Sequence, residues 1–122
     1  AIMDSLILCK FLRGVFDDRM TSMAEMLHLI TGWNVTAAEL KTTAERIVTA
    51  KKLYNIRQGW TPAEDTLPKR FLSEALPEGA SKGAALSSDN LQRLIRQYNL
   101  FRGWTPEGFV RPITADNRGV TW

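Results

Sequence analysis

Along this chain apolar residues recur every three or four positions, and no segment shows the period of two that a half-buried strand requires. Ser22-x-x-Glu25 reads as a capping box opening a helix with the stripe Met23, Met26, Leu27 and Ile30, because serine oxygen and glutamate carboxylate each accept from an otherwise unpaired backbone N–H. Thr36-x-x-Glu39 repeats the device before a longer helix, whose face is Leu40, Ala44, Ile47, Ala50 and Tyr54 and which should run to about Gln58. Pro62, Pro68, Pro77, Gly79 and Gly83 crowd the stretch from Thr61 to Leu86, which predicts a long surface connection with a helical turn around Lys69 to Glu74. Ser88 or Asp89 opens a last helix carrying Leu91, Leu94, Ile95, Tyr98 and Phe101 on one face. The expected fold class is all-α: an irregular or orthogonal bundle of four to five helices with one long Pro/Gly-rich loop.

The two long helices end alike. Residues 54–62 and 98–106 match at seven of nine positions when Ile56 and Leu100 are counted as equivalent, with an offset of 44. The pattern reads as a helix stop: Gly59 and Gly103 take the left-handed position after the last turn, Trp60 and Trp104 fold back over it, and Pro62 and Pro106 forbid continuation. Two matched stops suggest buried, shaped helix ends; a chance echo of ordinary capping chemistry is the alternative.

Composition narrows the function classes. The 122 residues, 44% apolar and 24% charged, allow one compact domain with a real core, and they exclude disorder and collagen-like repeats. Sixteen Lys and Arg against thirteen Asp and Glu leave a net charge of only +3, with both signs interspersed, so no strong nucleic-acid field is expected. A helical nucleic-acid or partner-binding domain using Arg93, Arg96 and Arg102 is the competing reading, against a solvated helix face. No 18-residue apolar run and no targeting peptide is present, and the single Cys9 cannot form an internal disulfide, so no membrane partner and a reducing cytoplasm are expected.

Candidate chemistry is sparse. His28 is the only histidine and lies beside an apolar stripe, which favours a partly buried structural role. Asp17, Asp18, Glu64 and Asp65 read as loop and cap residues, and no phosphate-binding loop is present. Cys9 has Lys10 beside it, which would favour a thiolate; the alternative is a buried free cysteine packing as a small hydrophobe.

Several stretches together resemble the C-terminal part of the tungsten-containing aldehyde ferredoxin oxidoreductase family. Asp4-Ser5-Leu6-Ile7-Leu8-Cys9 is similar to the family's Asp-x-x-Gly-Leu-Cys motif, and Asp65-Thr66-Leu67-Pro68-Lys69-Arg70 to its Asp-x-Leu-Pro-x-Arg segment. Thr31-Gly32-Trp33, Glu45-Arg46-Ile47, Tyr54 to Gly59, and Tyr98 with Arg102-Gly103-Trp104 keep the family's order and spacing, so that the likeness runs from about Asp4 to Gly108.

The resemblance implies that residues 1–122 are the last, mainly helical domain of a three-domain enzyme oxidising aldehydes to carboxylic acids. It implies a 4Fe-4S cluster and a tungsten or molybdenum bis-pterin, with the N-terminal and middle domains, ferredoxin and an aldehyde as partners and a homodimer as an allowed assembly. The cofactor-binding residues carried over are Asp4, Ile7, Leu8 and Cys9, with Asp4 a pterin contact and Cys9 the last of four cluster ligands; no catalytic acid or base is assigned. One thiolate cannot assemble the cluster alone, so the isolated chain is expected to be colourless and inactive, with its edge from Asp4 to Phe11 exposed or rearranged. Ile7 stands where the motif has glycine, adding a β-branched side chain where bare backbone would approach a cofactor. A helical docking or scaffold module that has lost cofactor binding is the alternative within the same ancestry.

Overall fold

A computed structural model describes residues 1–120 and contains six α-helices and no strand among them, in keeping with the all-α class. They are α1 (Ile2–Ser5), α2 (Arg19–Thr31), α3 (Ala37–Arg57), α4 (Lys69–Ser73), α5 (Ser88–Phe101) and α6 (Pro112–Asn117), with 3-10 turns at Lys10–Gly14 and Pro62–Glu64. The count exceeds the four to five expected because α1 and α6, at four and six residues, are too short for apolar periodicity to reveal.

Capping chemistry explains the helix starts. Thr36 and Glu39 form the expected box before α3: Glu39 Oε2 accepts from Thr36 N at 2.8 Å, and Thr36 Oγ1 accepts from Glu39 N at 3.2 Å. The start expected at Ser22 is displaced to Arg19, because Asp18 caps α2 one turn earlier, its Oδ1 accepting from Met20 N at 3.1 Å and Thr21 N at 3.3 Å. Ser22 lies inside the helix and donates to Asp18 O. α5 is capped by Ser87, whose Oγ accepts from Asn90 N, one residue ahead of the positions expected.

The described chain forms two compact units, residues 1–51 with 115–120, and residues 52–114. In the first, Met23 and Ala24 of α2 and Leu40 of α3 are buried, and Leu6, Leu8, Leu27 and Val35 pack against them. Arg118 donates to Glu45 Oε2 at 2.7 Å, and Arg46 Nε to Arg118 O at 2.8 Å.

The second unit centres on the matched helix stops. In each, the Trp N–H donates to an Asn carbonyl five residues back (Trp60 to Asn55, Trp104 to Asn99, both 2.9 Å), and the Gly N–H to the next carbonyl, which together make a Schellman motif. Gly59 and Gly103 have φ of 93° and 74°. The stops also meet in space. Lys52 Nζ lies 2.9 Å from the centroid of the Trp60 ring and 5.7 Å from that of Trp104, and 3.4 Å from Asp65 Oδ2. Trp60 Nε1 donates to Asp65 Oδ1, Asn99 Nδ2 donates to Pro106 O, and Trp104 is only 3% exposed. Of the apolar stripe on α5, Leu91 and Ile95 are half-buried whereas Leu94, Tyr98 and Phe101 are exposed, and only Asn99 of that helix is fully buried.

Candidate functional site

The residues singled out from the sequence lie where α1 ends. α1 stops by the same hydrogen bonds as the longer helices: Leu8 N–H donates to Met3 O at 2.8 Å and Ile7 N–H to Asp4 O at 3.3 Å. That places Ile7 in the left-handed position, with φ of 58°. Among the described residues the other seven positive φ values all belong to glycine. A β-branched side chain here costs about 1–2 kcal/mol, because its Cβ crowds the following carbonyl oxygen. The glycine of the family motif thus has a local reason, the helix stop, that close approach to a cofactor had not suggested.

Side chains around the turn alternate in fate. Leu6 and Leu8 pack against the Met23, Ala24 and Leu40 core, whereas Ile7 is 93% exposed. The Leu8 side chain is therefore an anchor that pins the loop. Cys9 follows in extended conformation, exposed and free, and its carbonyl accepts from Leu12 N–H at the start of the 3-10 turn. The packing role of a buried small hydrophobe does not hold for it. Phe11, 96% exposed, is the next large apolar side chain, so the edge from Asp4 to Phe11 is open as expected.

Asp4 turns its carboxylate toward Lys10, whose Nζ lies 3.6 Å away. Lys10, expected to favour a thiolate at Cys9, is thereby engaged with Asp4. Asp4, Lys10, Asp18, Arg19 and Met20 border an open cleft of about 550 Å³ that reaches Met23 at its floor, a volume in the range of small-molecule sites.

The other candidates are structural. His28 is exposed rather than partly buried, with Nδ1 3.3 Å from Trp33 O. Glu64 accepts from Thr61 N at 3.0 Å, and Asp65 serves Lys52 and Trp60. Arg93 donates to Asn90, and Arg102 lies over the Tyr98 ring at 5.0 Å. Lys52 was not singled out from the sequence, since a lysine within a helix pattern reads as a solvated position; its only signal was the recurring Gly-Trp-Thr-Pro that supplies both rings. Among the described residues, no three His, Cys, Asp or Glu side chains gather into a metal site, and no helix is long and apolar enough to cross a membrane.

Residues 1–119 match the family described as aldehyde ferredoxin oxidoreductase, domains 2 and 3. The chain is 35% identical over 98% of its length to tungsten-containing aldehyde ferredoxin oxidoreductases of Pyrococcus furiosus and Thermococcus kodakarensis, covering 19% of each. It is 38% identical over 90% of its length to the protein of that name from Pyrococcus horikoshii, covering 18%. The chain thus spans about a fifth of the length of the curated relatives it matches.

Proposed function

The chain belongs to the aldehyde ferredoxin oxidoreductase family, and from that premise we propose that residues 1–122 are the C-terminal domain of a larger tungsten or molybdenum pterin-dependent enzyme oxidising aldehydes to carboxylic acids. The observation that carries the reading is the loop after α1. There an exposed free thiol, Cys9, follows a left-handed turn that is still built although its glycine has been replaced.

The donor set suits a shared site. A 4Fe-4S cluster generally takes four thiolates, and this chain offers one, which leaves three to the middle domain and makes Cys9 the fourth ligand. Asp4, a carboxylate paired with Lys10 beside the open cleft, would accept hydrogen bonds from a pterin edge. Leu8, half-buried below the loop, fixes the backbone that presents Cys9, and Ile7 stands exposed at the turn before it. When bound, the pterin-held metal supplies oxidation of the aldehyde with an oxygen from water, and the cluster carries the electrons to ferredoxin. The protein's share is orientation, exclusion of water and tuning of the ligand thiolate. The isolated chain, holding one ligand of four, is expected to be colourless and inactive, and its free cysteine fits a reducing cytoplasm.

The test is anaerobic purification of the full-length gene product as wild type and Cys9→Ser, with iron, tungsten and molybdenum analysis. Wild type should hold about four irons with tungsten or molybdenum, in line with one 4Fe-4S cluster, and the variant should lose iron. Wild type with neither iron nor tungsten or molybdenum would sink the enzyme reading and leave the docking module.

A further inference from the structure

Seven of the eight left-handed residues in the described chain are glycine, and the eighth keeps isoleucine at a cost glycine would avoid. The side chain adds nothing to the core, since Leu6 and Leu8 on either side of it do that packing and Ile7 itself is almost wholly exposed. What it does must therefore lie outside the unit's own interior. One residue, Leu8, separates Ile7 from Cys9, so their Cα atoms are at most about 7 Å apart, close enough for the Ile7 side chain to meet a group held on the Cys9 sulfur. Phe11 stands exposed on the other side of the thiol in sequence. A free thiol flanked by two exposed apolar side chains is poised to be dry once that edge is covered.

We infer that Ile7 is the apolar cover over the Cys9 edge of the iron–sulfur cluster and holds its reduction potential low, an inference that rests on Cys9 being a cluster ligand. Reduction adds a negative charge to the cluster, and water stabilises that charge. A side chain that keeps water from the ligating sulfur therefore disfavours the reduced state, solvent exposure being one of the levers that set such potentials. The strain at Ile7 is then the local cost of a tuning side chain where glycine would leave the sulfur open. Ile7 positions solvent and does not itself react.

The experiment is a redox titration of the cluster, followed by electron paramagnetic resonance, in the full-length enzyme as wild type, Ile7→Asn and Ile7→Leu. Asparagine tolerates the left-handed conformation and brings polarity; leucine keeps the apolar bulk without the β-branch. Ile7→Asn should raise the reduced-to-oxidised ratio about tenfold at a fixed poise, about 59 mV for a one-electron couple, while Ile7→Leu stays at the wild-type midpoint. An unchanged midpoint in Ile7→Asn with its iron retained, or an equal shift in Ile7→Leu, overturns the inference and leaves Cys9 ligation standing. If Ile7→Asn loses iron, Ile7→Gly replaces it, since glycine suits the turn and removes the cover: a raised midpoint supports the inference and an unchanged one overturns it. Wild type without a cluster overturns both readings.

Discussion

Replacing Ile7 by glycine exchanges one conformational cost for another. Relief of the left-handed strain is worth about 1–2 kcal/mol, and the extra freedom of glycine in the unfolded chain returns about 0.5–1 kcal/mol of it. Ile7→Gly should therefore stabilise this chain by about 0.5–1 kcal/mol, read as a higher urea midpoint at an unchanged slope; a lower midpoint would mean that the exposed side chain makes contacts worth more than its strain. Acid sensitivity is also set residue by residue. The Thr21 hydroxyl, with the N–H groups of Thr21 and Met20, pulls Asp18 below its ordinary 3.8, and the Thr36 N–H and hydroxyl pull Glu39 below its ordinary 4.5. A carboxyl lowered in the folded state contributes stability that is full above those ordinary values and is lost as pH falls through the lowered ones. Helix content by circular dichroism should thus hold from neutral pH to about 5 and fall below about 4, and less steeply in Asp18→Asn, which keeps an acceptor without a titrating group.

At the scale of elements, helix starts and stops were more legible than helix faces. The Thr36 box and the Gly-Trp stops follow from hydrogen bonds that local sequence alone provides, and they stand where the residues put them. Ser22 misled because Asp18, four residues earlier, offers the same chemistry and reaches the free N–H groups first. The α5 stripe is only partly covered for another reason: periodicity reports that a face is apolar, not what covers it, and nothing in residues 52–114 buries Leu94 or Phe101. The left-handed glycines rank by what surrounds them. A Cβ on Gly59 meets open space, whereas one on Gly108, at φ of 98°, comes within 3.1 Å of both Asn99 Nδ2 and the Trp60 ring. Gly108→Ala should accordingly destabilise by about 2–3 kcal/mol and Gly59→Ala by about 1–2 kcal/mol in urea denaturation, and equal costs would mean that the Trp60 contact yields freely.

For the whole molecule, the sequence carried class and ancestry better than architecture. The motif spanning Asp4 to Cys9 pointed to the family, and the all-helical class followed from a period that strands do not share. The Lys52 cluster escaped because it joins residues from 52 to 104, and no local pattern links a helical lysine to two tryptophans 44 residues apart. The site itself was legible as a motif but not as geometry: only the backbone turn at Ile7 shows that the missing glycine had ended a helix.

The tip between Leu76 and Ala84 has a use of its own. Leu76 N–H donates to Ala84 O at 2.9 Å and Gly83 N–H to Leu76 O at 2.8 Å, so the loop is closed at its neck while Gly79 at its crown is exposed. Lengthening a closed loop costs only about 0.6 kcal/mol per doubling. The crown is thus a seam at which a tag or reporter can be spliced into the chain while the neck beneath it stays fastened.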